Sequence, residues 1–437
     1  MRIRFIFMAL ALVLATPILA HAQGRPFNPR TPQAMGMGNV KVGIGGSYNA
    51  LFYNPAGLGA IEEAGQTTDS DLFGDNLKDA VWELQALSIL AETNSDTQSF
   101  INDIKDVDET NVQPFLDKHR GDAIYARIDS TSYFTMKKGR FGFGVAGLFD
   151  YTVEAAIQDA FTETVSPVAG TDTLRTRKTA DIGGVIGASY DVVEEWLTLG
   201  ASIKAFNRWQ TDAVFADIPD GIASTTPAGA GDMPDFNFDG DLVLPFGDGC
   251  AASSSPTNAA GTEGGFACDH SSSFTVGGDI GAMAYLPLKE IGLDDSFLRD
   301  GRMQLGVVMQ DIGRTRLSGA SFAAPNANGN DIPMSVDVGI AYMQQFEIGR
   351  FKLGADFRDL NRDQVSLADK FSIGAEMEFK EVVTLRAGMN ETGLAAGLAL
   401  RLWAVRLQGG VIQEKPDLPA DGRDLRYYAS LGLGWYN

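Results

Sequence analysis

The 437-residue chain carries 56 acidic against 35 basic residues, a formal charge of −21, together with 50 glycines. So acidic a chain lacks the clustered Lys and Arg that phosphate binding needs, which argues against a nucleic-acid partner. Two cysteines and three histidines, with no zinc-type spacing among them, supply imidazole and metal chemistry poorly. No nucleophile stands with a base and an orienting acid, so the sequence does not read as an enzyme.

In chain order, Arg2 and Arg4 precede an apolar run from Phe5 to Leu19 and then Ala20-His21-Ala22. This reads as a secretory signal peptide over 1–22, cleaved after Ala22. No later stretch approaches the roughly 20 apolar residues of a membrane helix, so a membrane-embedded chain of this kind must be a barrel. The next segment, 23–59, runs through "MGMGNVKVGIGG" to the corner Asn54-Pro55-Ala56-Gly57. Taken alone the corner is ordinary: Asn caps a helix, Pro suits its first position, and Gly loosens the backbone after it. A first strand is expected near 60–73. Over 75–120, Leu77, Ala80, Val81, Leu84, Leu87 and Ala91 recur at helical spacing, as do Phe100, Ile101, Ile104 and Val107. They predict a helical insertion of two or three short helices.

From about residue 123 the chain alternates. Candidate strands fall near 124–137, 141–154, 174–190, 196–209, 273–286, 302–313, 334–346 and 427–436. The clearest window is "KFSIGAEMEFK": Phe371, Ile373, Ala375, Met377 and Phe379 share one face, Ser372, Gly374, Glu376 and Glu378 the other, as a strand requires. The same alternation marks strands around Phe351–Phe357, Val383–Met389, Leu394–Leu402 and Val405–Val411, for a total of about 14. Gly183 and Gly184, inside one candidate strand, could mark a bulge or simply relieve crowding.

The stretch 211–272 does not alternate and reads as a long, outward-facing loop. It holds Cys250 and Cys268, which in an exported chain form one disulfide, or else are two inert thiols. It also holds "DFNFDGD", where Asp235, Asn237, Asp239 and Asp241 have the spacing of a Ca²⁺ loop. Position twelve, which needs a bidentate Glu, is Phe246, so an acidic solvated loop is the competing reading. No other cofactor is expected.

Two architectures fit: a soluble β-sandwich, or an all-β transmembrane barrel with lipid outside and polar groups inside. Strands of roughly ten residues joined by short turns, the export signal, and the aromatic-flanked ending "YYASLGLGWYN" favour the barrel. The leader, "NPAGL", "GADFRDL", the long segment from "FSIGAEMEF" to "RLQGGV", and "YYASLGLGW" resemble the FadL-type outer-membrane barrel superfamily. That group includes fatty-acid and aromatic-hydrocarbon channels and the PorV-like and TraF-like branches. The resemblance implies an antiparallel barrel over 60–437, in the outer membrane of a Gram-negative-type bacterium, with 23–59 folded inward as a plug carrying the N-P-A motif. In some of its members a strand kink opens a lateral exit, a role Gly183 and Gly184 would then take. It further implies passive transport of small hydrophobic molecules, long-chain fatty acids or hydrocarbons. The PorV-like and TraF-like branches suggest instead a scaffold for a secreted protein partner.

With the oily faces against lipid, Asp356, Arg358, Glu376, Glu378, Arg386, Arg401 and Arg406 point inward. Facing carboxylates and guanidiniums can pair across strands, either stiffening the barrel around a plug or forming a polar track for a solute. Leu84, Leu87 and Phe100 offer an apolar surface on which a ligand would first land.

Overall fold

The computed structural model describes residues 29–45, 49–60, 80–105, 114–115, 118–159, 171–193, 196–219, 266–288, 301–316, 334–362, 366–414 and 424–436. Fourteen antiparallel strands close into one barrel. They are β1 (Val81–Asn94), β2 (Ala123–Lys138), β3 (Phe141–Asp159), β4 (Thr171–Val193), β5 (Leu197–Pro219), β6 (Phe266–Pro287) and β7 (Gly301–Arg316), followed by β8 (Ser335–Phe346), β9 (Gly349–Phe357), β10 (Phe371–Phe379), β11 (Val383–Met389), β12 (Leu394–Leu402), β13 (Val405–Glu414) and β14 (Asp424–Tyr436). Pairing of β1 with β14, from Glu83 opposite Tyr436 to Asn94 opposite Arg426, completes the ring and leaves no free sheet edge. Short helices α1 (Pro32–Gly36) and α2 (Asn49–Tyr53) and a 3₁₀ turn (Pro55–Ala60) precede the barrel, and α3 (Ser95–Ile104) follows β1.

The choice between sandwich and barrel turns on which face is buried. Leu385, Leu398, Leu407, Leu431, Ile186 and Ile203 are between 42% and 59% exposed. On the opposite faces Asp356, Glu376, Arg127 and Lys204 are 4% exposed or less. A soluble sheet hides its oily face; a barrel in lipid inverts that rule. Aromatics mark both rims of the apolar band. Trp403, Trp435 and the tilted ring pair Phe141 and Tyr190 lie at the short-turn end, and Tyr427 and Phe357 at the end with the long connections. Such girdles sit at the two membrane interfaces, and the end with the long connections is the outward one.

Four sequence expectations need correction. The helical reading of 75–120 fails over 81–94, which is strand β1, and holds for α3 and for the helical residues 114, 115 and 118; 75–79, 106–113 and 116–117 lie outside the described residues. A register shift between Gln85 and Leu87 puts Leu84 and Leu87, three apart, in the spacing of a helix while both remain on a strand. The first strand is therefore β1; of the stretch 60–73, residue 60 ends the 3₁₀ turn and 61–73 lie outside the described residues. Third, the loop 211–272 is shorter at both ends. β5 runs to Pro219 and β6 starts at Phe266, with Ala213 opposite Cys268. These extensions continue the strands past the apolar band, where neither face needs oily residues, so alternation is lost from the sequence but not from the backbone.

The fourth concerns Gly183 and Gly184, which carry no bulge: β4 pairs through them without a shift on both sides. A Cβ at Gly183 would collide with the Cβ and Cα of Phe206 and the Ala205 carbonyl, so this glycine makes room for the neighbouring strand β5. The register breaks lie elsewhere, above all between β6 and β7 around Gly278. Cys250 and the four residues of the calcium-type loop lie outside the described residues, as does the side chain of Cys268. Among the described residues no helix is long and apolar enough to cross a membrane, and no cluster of His, Cys, Asp and Glu is placed to hold a metal.

Candidate functional site: the barrel interior

The described residues between Pro29 and Gly59 lie against the inner wall of the barrel. Thr31 starts α1 by accepting the Ala34 N–H at 3.3 Å, with Pro32 at the first helical position, as a cap and a pre-set φ favour. Met35 then packs on Leu90, Ile412 and Tyr428 of three strands. Met37, Val40 and Ile44 pack beside Ala341. Further along, Leu51, Phe52 and Leu58 cover an apolar stretch of wall made by Tyr133, Ala146, Leu148, Val185 and Phe206.

Polar groups of the wall hold this segment by its backbone. Asp356 of β9 accepts the N–H groups of Lys41, Val42 and Gly43 at 2.6, 2.8 and 3.4 Å. Gln304 accepts the Gly45 N–H at 3.3 Å, and Gln310 donates to the carbonyls of Phe52 and Tyr53 at 3.0 and 2.8 Å. At the start of the segment Arg30 donates to Glu92 at 2.7 Å and also pairs with Glu414; at its end Lys137 reaches the Gly59 carbonyl.

The N-P-A corner is both an ordinary cap and a tie to the wall. Asn54 Oδ1 accepts the Ala56 N–H at 3.2 Å, capping the 3₁₀ turn that Pro55 begins, while Nδ2 donates to the carbonyls of Val42 and Ala282 at 3.3 and 3.4 Å. Two wall glycines admit it: a Cβ at Gly281 would strike the Asn54 side chain and one at Gly200 the Pro55–Ala56 backbone. Gly57 lies at the far side of the corner, against Ala50 and Gly45.

The inward residues read from the sequence fall into three places. Asp356, Glu376 and Arg386 touch or support the inner segment: Glu376 pairs with Lys352 and Arg386 at 3.0 and 2.7 Å and accepts from Gln33 at 3.1 Å. Arg358 lies beyond the end of β9, 2.9 Å from Glu391. Glu378, Arg401 and Arg406 belong to the short-turn end, where Arg406 meets Glu83 at 3.4 Å and Arg401 shares a small cleft with it. The landing surface is not as expected. Leu87 is on the lipid face of β1 at 39% exposure, with Leu84 on the same strand, and Phe100 is buried against Phe115 and His119.

Several interior groups went unread. Arg127 and Asp129 alternate with Ala126 and Ile128 in β2, a signal that was available. Lys204, 3.0 Å from Asp279 and 3.2 Å from Asp311, was not legible, since three strands contribute to it. Toward the loop end a cavity of about 380 Å³ lies between the inner segment and the wall, lined by Arg30, Lys41, Tyr53 and residues of β2, β3, β4 and β5.

A closed antiparallel barrel, oily outside and charged inside, is a transmembrane barrel of the outer-membrane type. Its fourteen strands are the fold that the resemblance to the FadL-type barrels implies. In a comparison with solved structures, the toluene transporter TbuX of Ralstonia pickettii is 14% identical, covering 95% of this chain and 98% of its own at a TM-score of 0.46. For the toluene transporter TodX of P. putida the figures are 11%, 95%, 99% and 0.40, and for the monoaromatic hydrocarbon channel CymD 10%, 92%, 96% and 0.44. Likeness at this level is no guide to what passes through the barrel. No protein-family model and no curated protein matches the sequence.

Proposed function

We propose that this barrel is a passive outer-membrane channel for small hydrophobic molecules, hydrocarbons or long-chain fatty acids, exported by a leader cleaved after Ala22 and gated by its inner segment. One observation carries the reading. The wall beneath Leu51, Phe52 and Leu58 is apolar, built from Tyr133, Ala146, Leu148, Val185 and Phe206, although much of the rest of the interior is charged. While the segment is seated those side chains bury one another. Displaced, it uncovers a continuous oily strip inside an otherwise polar lumen, a surface on which a hydrophobic solute loses its water shell favourably.

The segment is suited to move as a unit. Among the described residues it is joined to the wall by side-chain bonds to its backbone and by pairs such as Arg30 with Glu92, not by strand pairing, and the glycines between Gly36 and Gly45 leave its backbone free to rearrange. Pro55 fixes the corner about which it turns. The test is uptake of labelled toluene and labelled oleate by cells with and without the gene, and with the Asn54→Ala/Pro55→Ala double variant. Uptake that needs the gene and changes in the double variant is the expected result. Uptake indifferent to the gene, with a secreted protein co-purifying on the barrel, would replace the channel by a scaffold; wild-type uptake in the double variant would end the gating role.

A further inference from the structure

The loop-end cavity has the chemistry of a site for a small zwitterion. Its volume of about 380 Å³ is within the usual range of ligand pockets, yet cationic and carboxylate side chains line it in equal number. Five of the cations are matched: Arg30 with Glu414, Arg127 with Asp150, Arg208 with Asp181 at 2.7 Å, Arg358 with Glu391 at 2.9 Å and Arg362 with Asp359 at 3.0 Å.

The sixth cation and the sixth carboxylate are less closely held. Lys41 carries its ammonium 4.4 Å above the Tyr53 ring, with its backbone N–H, not its ammonium, on Asp356. Asp129, 6% exposed, keeps its Oδ2 without a hydrogen bond, its nearest cation being Arg127 at 3.5 Å. The guanidinium Nε of Arg358 is likewise buried without an acceptor. A buried polar atom left unbonded is destabilising, so this cavity presents an unfilled donor on one part of its lining and an unfilled acceptor on another.

We infer that the cavity binds a small zwitterion of the α-amino-acid type, its carboxylate taken by Lys41 with the Arg358 guanidinium and its ammonium by Asp129. A hydrocarbon satisfies none of these groups, and a simple anion leaves Asp129 as it was. The site adjoins the oily strip proposed above at Leu148, but it rests on charged groups that the strip does not use, and either can be wrong without the other.

The probes are L-alanine, propionate for its acid half and ethylamine for its amine half, measured by equilibrium dialysis against the purified full-length barrel in detergent. Alanine binds at least about tenfold more tightly than either half. Asp129→Asn lowers alanine to the level of propionate, and Lys41→Met weakens alanine and propionate together. Lys41 is on the inner segment and outside the wall, so the second variant tests the site even where the first disturbs β2. Equal binding of alanine and propionate by the wild-type protein, or no saturable alanine binding, overturns the inference. Gene-dependent toluene uptake alongside that negative result leaves the hydrophobic channel standing.

Discussion

Asp356 of β9 and Val42 of the inner segment are joined by a 2.8 Å hydrogen bond, and the same carboxylate also takes the Lys41 N–H. Asp356 is 0% exposed. A buried carboxylate is sustained by donors aimed at it, and here the donors are backbone amides of a segment that is not part of the wall. The sheet and the inner segment therefore hold each other in place at this point.

Asp356→Ala removes the acceptor for three amides at once. Bonds to a charged group contribute about 1.5–3 kcal/mol each, so the segment around Lys41 to Gly43 loosens while β9 keeps its pairing with β8 and β10. Hydrogen exchange reads this directly: protection of those amides falls at least about tenfold, and that of the β9 ladder stays. Unchanged exchange at Val42 would show that packing of Met37, Val40 and Ile44 alone seats the segment.

Gly200→Val probes the corner without touching it. The added Cβ meets the backbone of Pro55 and Ala56, atoms that cannot turn aside as a side-chain end can, and overpacking of this kind costs about 1–3 kcal/mol. Limited proteolysis should then cut within 49–59 at rates well above wild type. Gly147→Val, where an added Cβ meets nothing within 4 Å, is the matched control and should digest like the parent. Equal resistance in both variants would mean that the corner shifts freely against β5.

Outside the membrane, Asp103 on α3 is held below the usual carboxylate range, first by the hydrogen bond from Lys118 and next by that from His119. His119 bonds Asp122 through its other ring nitrogen at 2.8 Å. A depressed carboxylate contributes its stabilisation fully above the unfolded value, 3.8, and loses it as pH falls through the lower folded value. Protection of the α3 amides, taken relative to the intrinsic exchange rate at each pH, should therefore be flat from pH 7 to about 4 and fall more steeply below it than in Asp103→Asn. Parallel profiles in the two proteins would remove Asp103 from the account.

The sequence was most readable where strands are short and turns tight. From β9 to β14 the two-residue alternation is clear except where Ile412 and Tyr428 turn inward against Met35, and each lipid-facing Leu opposite a charged or small residue reports its orientation. β1 was misread because the shift near Gln85 moves the pattern by one residue, which imitates a helix. The outer ends of β5 and β6 were misread because outside the bilayer nothing compels alternation. The interior was half legible: a charge on an alternating strand reveals that it points inward, as for Asp356 and Glu376, but not what it meets. Partners such as Arg30 and Glu414, or Lys204 and Asp311, are set by closure of the ring and by bulges, and local spacing encodes neither.

One such bulge supports the last prediction. Between Gly278 and Ile280 the β6–β7 register slips, so that Gln310 and Asp311 stand opposite Asp279, with Asp311 at φ 55°. Adjacent residues can then both turn inward: Gln310 holds the carbonyls of Phe52 and Tyr53, and Asp311 meets Lys204. Lys204, 1% exposed, is set between Asp279 and Asp311. Lys204→Met would leave two carboxylates facing each other without a cation, which at a buried site costs about 3–5 kcal/mol. The expected result is a lowered midpoint for loss of the heat-resistant folded barrel, together with faster exchange at Leu51 to Asn54 as Gln310 loses its footing. Lys204→Met/Asp279→Asn/Asp311→Asn removes the stranded charges and should recover most of the midpoint, since neutral groups of similar shape can replace a buried ion cluster at little cost. If the single variant unfolds at the wild-type midpoint, the lysine does not hold the bulge; if the triple variant is worse than the single, the carboxylates stabilise it through their hydrogen bonds rather than through Lys204.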